Sequence, residues 1–312
     1  MDLTPAFPTF IVTLREGFEA ALVVGIVMAC LRKARQTKLY FWVYLGIVSG
    51  IVGSLAIGIL LAKTLRSLET TGGVYAPVIK QTLAGSFGLI AIAMLSWMLI
   101  WMSSQAKSLK GEVENTIDDA LNSQNAGKAI FLVIAIAVMR EGFETVLFIV
   151  AKFQQQWTLP TVGAIAGLSL AAFLGWLLFA LGVRINIRLF FQIMGIFLLL
   201  IVGGLVLSAL YHYDRAVFLF SEISNNNWCI AGNDSCLLGQ QVWNGANILP
   251  DKEFPGIILK ALFGYRQTLY LGQIIAYVSF LAIVGTAYFQ SLTGRSLKAQ
   301  FASLKQTLGL EN

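Results

Sequence analysis

The chain has 312 residues, 57% of them hydrophobic and 12% charged, with a net charge of +6. Soluble domains carry about 25% charged residues, so this composition excludes an ordinary soluble fold and indicates a polytopic membrane protein. In such a chain a positive balance belongs to cytoplasmic loops rather than to a nucleic-acid partner, and no Walker-type loop points to ATP hydrolysis.

Seven apolar stretches are each long enough to cross about 30 Å of hydrocarbon. They cover residues 8–31, 41–62, 82–103, 129–151, 159–182, 189–211 and 269–290. The N-terminus lacks a basic n-region and the first stretch is charged, so no cleavable signal is expected. Span one contains Arg15-Glu16-Gly17-Phe18-Glu19, and span four contains Arg140-Glu141-Gly142-Phe143-Glu144. Charges at bilayer depth cost at least a few kcal/mol each, and they commonly line a pathway. Helical spacing lets Arg15, Glu16 and Glu19 share one broad face, as it does Arg140, Glu141 and Glu144. Gly17 and Gly142 leave room for another backbone or an ion. The pairs could merely pin a helix bundle, but each copy has two glutamates to one arginine. An uncompensated buried carboxylate makes no sense as packing.

The loops set the orientation. Loops one, three and five and the tail carry twelve Lys and Arg residues, among them Arg32, Lys33, Lys107, Lys128 and Arg184, against eight on the other side. The positive-inside rule then puts the N-terminus outside and the C-terminus in the cytoplasm of a cell membrane. After span three, Leu109, Val113, Ile117 and Leu121 form an apolar stripe, with Glu112, Glu114, Asp118 and Asp119 mostly off it. This pattern describes an amphipathic surface helix whose acids are solvated or receive a leaving cation. Residues 291–312 form a similar cytoplasmic tail, with Leu297, Phe301, Leu304 and Leu308 as the stripe and Lys298 and Lys305 for anionic lipid. The long outer loop, 212–268, holds Cys229 and Cys236, expected to form a disulfide, with two free thiols as the alternative. Cys30 is packing material. His212, the sole histidine, is expected to pack at the interface rather than to ligate. The apolar segment from Phe254 to Tyr265 is too short to span and suits a re-entrant or interfacial helix.

The motifs are 125 residues apart, and Gly46, Gly50 and Gly58 match Gly163, Gly167 and Gly175 at one constant offset. Spans one to three (about 8–103) therefore repeat as spans four to six (about 129–211). Three is odd, so the second copy is inverted, with span seven left outside the repeat. Inverted repeats mark secondary transporters, whose substrate site lies at the repeat interface. The expected fold is all-α: seven transmembrane helices, a 3+3 inverted repeat plus one C-terminal helix, with residues 1–290 as the permease domain. Glu16, Glu19, Glu141 and Glu144 would converge at the repeat interface. An all-carboxylate site selects hard cations such as Mg²⁺, Ca²⁺, Mn²⁺ or Fe³⁺.

Arg-Glu-Gly-Phe-Glu, twice, in spans one and four of seven, resembles the oxidase-dependent iron transporter family, which includes the fungal high-affinity iron permease and bacterial iron-uptake permeases. The family signature is Arg-Glu-Gly-Leu-Glu, so Phe18 and Phe143 depart from it at a position that does not ligate. The resemblance implies an iron permease with no chemistry of its own and no organic cofactor. Iron, ferric after oxidation of ferrous, would bind Glu16, Glu19, Glu141 and Glu144 as cargo, with Arg15 and Arg140 essential beside them. It also implies an extracytoplasmic iron-oxidising or iron-binding partner. The chain lacks an Asp-Ala-Ser-Glu element like that of the fungal outer loop, which favours the bacterial branch. The alternatives are an exchanger or channel for another hard cation (manganese, calcium, magnesium) or protons, and a membrane scaffold whose charges only hold the bundle. No nucleophile with a base, His-rich metal site or cofactor motif suggests an enzyme.

Overall fold

The computed structural model describes residues 6–71, 73–105, 125–152, 158–180, 186–224, 228–230, 235–246, 248–251 and 253–293, with residues 116–117, 120–121, 182 and 226. Each of the seven apolar stretches is mostly helical. Helix α1 covers Ala6–Lys33, α2 Tyr40–Thr71, α3 Ala76–Gln105, α4 Ala126–Lys152, α5 Thr158–Ala180 and α6 Ile187–Ser224. After α6 come strand β1 (Gln241–Asn244), short helix α7 (Gly256–Phe263), strand β2 (Thr268–Tyr270) and helix α8 (Leu271–Thr293). The two strands pair antiparallel, a small β element that the apolar pattern did not announce.

Among the described residues, five helices, α2, α3, α5, α6 and α8, are long and apolar enough to cross a membrane. At 28 and 27 residues, α1 and α4 are also long, but the motif charges interrupt their apolar character. The outward faces are those of a membrane protein: Phe41, Val48, Val52, Leu55 and Ile59 on α2, and Val162, Ile165, Phe173 and Trp176 on α5, are all exposed. In water a patch of that extent would aggregate, whereas lipid covers it at no cost. α3 and α6 are more enclosed than α2 and α5.

The closest packing joins α1 with α5, α2 with α4, and α3 with α6. Small residues make the first two contacts possible, because without a hydrophobic drive between helices in lipid the backbones must approach closely. A Cβ on Gly46 would lie 2.9 Å from Ile134 Cβ, and one on Gly50 2.7 Å from Val138 Cβ. Gly163 and Gly167 meet α1 at Ala6 and at Phe10 and Thr13, while Gly58 faces Val146 and Gly175 faces Ala21. Among the described residues, three apolar clusters lie between the pairs. The largest joins Ile11 and Val12, Leu95 and Leu99, Phe148, Leu198, Ile201 and Leu205, and Tyr288.

Several boundaries differ from the hydropathy reading. α6 does not stop at residue 211 but continues to Ser224, so the outer segment 212–268 begins as helix. Hydropathy reports transfer into lipid, whereas a helix leaving the bilayer keeps its own backbone hydrogen bonds. Side chains there find partners: His212 Nδ1 lies 2.6 Å from Gln81 Oε1, the Tyr213 and Ser86 hydroxyls are 3.0 Å apart, and Asp214 accepts the Leu237 N–H at 2.7 Å. α6 starts at a side-chain cap, Asn186 Oδ1 accepting the Leu189 N–H at 3.1 Å. Cys229 and Cys236 are bonded to each other. Helix α7 ends on Gly264, at φ 67°, whose backbone rests against Gly204 of α6, so this segment folds back onto the bundle. Of the stripe after α3, Ile117 is buried with Val27, Leu31 and Val43. Leu109, Val113, Glu112, Glu114, Asp118 and Asp119 lie outside the described residues, as does the tail 294–312.

Candidate metal centre

Each motif sits near the middle of its helix, and α1 packs against α4 as well as α5. Gly17 lets α1 close on α5, where an added Cβ would stand 2.9 Å from Ala171 Cβ. Gly142 does the same for α4 and α2, where an added Cβ would collide with the Ser54 hydroxyl. That hydroxyl donates to Gly50 O at 2.9 Å and to Met139 O at 3.2 Å, tying α2 to the turn before the motif.

The structure brings together Glu16, Glu141 and Glu144: one carboxylate oxygen from each lies within 4.8 Å of the others. Glu16 and Glu141 are buried, and the second oxygen of each, Oε2, has no hydrogen-bond partner. Glu19 is not in that cluster. Arg15 holds it, Nη2 standing 3.2 Å from Glu19 Oε1, while Nη1 stands 3.2 Å from Glu16 Oε1. Arg15 Nη1 also contacts Met98 Sδ at 3.3 Å, and the side chain is 3% exposed. Arg140 makes looser pairs, its Nε 3.4 Å from Glu144 Oε1 and 3.9 Å from Glu141 Oε1, and is 49% exposed. Its guanidinium carbon lies 5.1 Å from the centre of the Trp101 ring.

Three carboxylates this close repel, and more strongly as the dielectric falls. Two guanidinium groups offset part of that charge, and the orphaned oxygens are free to ligate. The donor set is oxygen only, which suits a hard cation. A cavity of about 470 Å³ opens beside Arg140 and Glu144, walled by Met94, Trp97, Met98 and Trp101 of α3.

Phe18 does not enter the site. Phe18 is fully buried and its ring lies 4.3 Å from that of Phe190. The α3 residues were missed in the sequence. Their signal was a run of Met94, Trp97, Met98 and Trp101 at helical spacing, which reads as ordinary core until the facing charges are known.

The profile of the iron permease FTR1 family matches residues 6–290. An uncharacterized protein of Synechocystis, slr0964, is 48% identical over 309 residues, covering 98% of this chain and 100% of that protein. The ferrous iron permease EfeU of Yersinia pestis is 30% identical, with 88% of this chain and 90% of that protein covered. EfeU of Escherichia coli O157:H7 is 28% identical, with 88% and 92% covered. No solved structure matches the chain. A match over residues 6–290, nearly the whole described helical region, leaves one assignment: the chain belongs to the iron permease FTR1 family.

Proposed function

We propose that this protein moves iron across a cell membrane through a site built by both Arg-Glu-Gly-Phe-Glu motifs. Glu16, Glu141 and Glu144 are the direct ligands, and Glu19 lies beside them, paired with Arg15. The observation that carries the reading is the meeting of carboxylate oxygens from two helices within 4.8 Å, two of those side chains having an unpartnered second oxygen. An ion leaving water needs anionic oxygen to offset its lost hydration. Iron is cargo here, and no organic cofactor takes part.

Two halves, α1–α3 and α4–α6, act as an inverted repeat, with α8 as the additional span and α1 and α4 as spans one and four of seven. The support is a set of matched contacts. Gly46, Gly50 and Gly58 pack on α4 as Gly163, Gly167 and Gly175 pack on α1, and Gly17 against Ala171 mirrors Gly142 against Ser54. The N-terminus lies outside and the C-terminus in the cytoplasm. The excess of Lys and Arg favours this, and so does a disulfide in the segment between α6 and α8, since such bonds persist in oxidising compartments. An extracytoplasmic iron-oxidising or iron-binding protein delivers the cargo to that face.

The family resemblance gives ferric iron as the transported form. A second reading has its own observation: four carboxylates and two guanidinium groups leave a formal charge that one ferrous ion would balance. The deciding experiment is radioactive iron uptake by a transport-deficient host, as ferrous iron kept reduced and as ferric citrate, with manganese and calcium as competitors. Saturable uptake that is lost in Glu141→Gln is expected. Uptake of manganese or calcium in preference to iron would refute the reading.

A further inference from the structure

Arg140 and Glu144 both line the cavity beside the carboxylate cluster. Its Nε faces both carboxylates, at 3.9 and 3.4 Å, while its guanidinium carbon lies over Trp101 at 5.1 Å. Arg15 is differently placed, with its two terminal nitrogens on two carboxylates at 3.2 Å each and a thioether closing the third side. One guanidinium is locked, and the other is shared between carboxylates and an aromatic face.

We infer that Trp101 is a positioning residue for transport: its ring receives the Arg140 guanidinium when iron takes the carboxylate oxygens. The inference rests on the transport reading above. Iron and Arg140 compete for the same oxygens of Glu141 and Glu144. A guanidinium moved off a carboxylate into hydrocarbon would be left uncompensated, and that cost would be charged against iron binding. An indole face offers the displaced cation an electrostatic partner that carries no negative charge of its own to capture iron. The cavity beside Trp101, Trp97 and Met94 gives Arg140 room to move, and its 49% exposure shows that this side is open. Arg15 is 3% exposed and does not line the cavity, so Arg140 is the member of the pair that moves aside.

The test compares Trp101→Phe with Trp101→Leu in full-length protein, with radioactive ferrous iron uptake measured against concentration at matched surface expression. Trp101→Phe retains a π-face and is expected to stay within about twofold of the unaltered half-saturating concentration. Trp101→Leu removes the face and leaves the carboxylates intact, so it should raise that concentration about tenfold, with the maximal rate changed far less. A purely structural role would lower the maximal rate or the amount of protein in both variants and leave the half-saturating concentration alone. That result overturns the inference, as does Trp101→Leu matching the unaltered protein. Absence of uptake by the unaltered protein brings down the transport reading and this inference with it, whereas failure at Trp101 alone leaves the transport reading standing.

Discussion

In α1 the motif is closed in. Arg15 grips Glu16 and Glu19 at 3.2 Å each and is 3% exposed. In α4 the same five residues are open on one side, with Arg140 at 3.4 and 3.9 Å from its glutamates and 49% exposed. The cause lies outside both motifs. α3 lays Met98 on Arg15 and Trp101 on Arg140, and α8, packed against α6 and α3, buries Tyr288 with its hydroxyl donating to Gln192 O at 3.2 Å. Two identical peptides thus acquire different electrostatics from helices that are not copies of one another. In the transport cycle proposed above, this difference lets one counter-ion stay with the site while the other leaves it.

The comparison is broken most severely at the carboxylates the two copies share. Glu16→Gln and Glu141→Gln should each lower iron uptake about a hundredfold or more while the protein still reaches the membrane, because Gln keeps the size and removes the charge the cation requires. Uptake corrected for surface expression checks this, and near-normal rates in both would show that the cluster is not on the transport path. The arginines sharpen the comparison. Lys lacks the planar fork, so Arg15→Lys loses one of two grips on buried acids and should lower uptake about tenfold or more. Arg140→Lys, whose pairs are longer and half-exposed, should cost severalfold less. Equal losses at both positions would erase the distinction drawn here.

The packing glycines give a smaller effect, read as stability. Gly142→Ala drives a methyl group into Ser54, and Gly17→Ala drives one into Ala171. Each should cost about 1–3 kcal/mol by overpacking, measured as thermal unfolding in detergent. Ser54→Gly should recover most of the Gly142→Ala loss, and Ala171→Gly most of the Gly17→Ala loss. Absence of coupling in either pair would mean that the helices meet elsewhere. The smallest effect belongs to Phe18→Leu, which installs the family's usual residue. Volume lost beside Phe190 should cost under about 1.5 kcal/mol, with little change in uptake. Phe143→Leu, less buried, should cost less still.

Much of this molecule was legible in the chain. The apolar stretches gave the helices because crossing hydrocarbon needs about twenty apolar residues and internally satisfied backbone, a local requirement. The motifs gave the candidate ligands because charge in an apolar run is costly wherever the run folds. Helix ends were less legible. α6 runs past residue 211 because Gln81, Ser86 and the segment at Leu237 partner its outer polar groups, and none of these neighbours is visible from residues 211–214. The β ribbon was invisible for the same reason, since Gln241 and Tyr270 become partners only after α7 has folded back.

The sequence by itself determined that charge would be buried in two apolar helices and which side chains would carry it, since spacing and composition act within one turn of helix. Only the tertiary structure decided that Glu16, Glu141 and Glu144 form the tight group while Glu19 is held back by Arg15, and that one arginine is enclosed while the other faces an indole. Those outcomes depend on distances of a few ångströms between residues on different helices. Coulomb energy and hydration at that range are set by what packs alongside, and two copies of one pentapeptide carry no information about their neighbours.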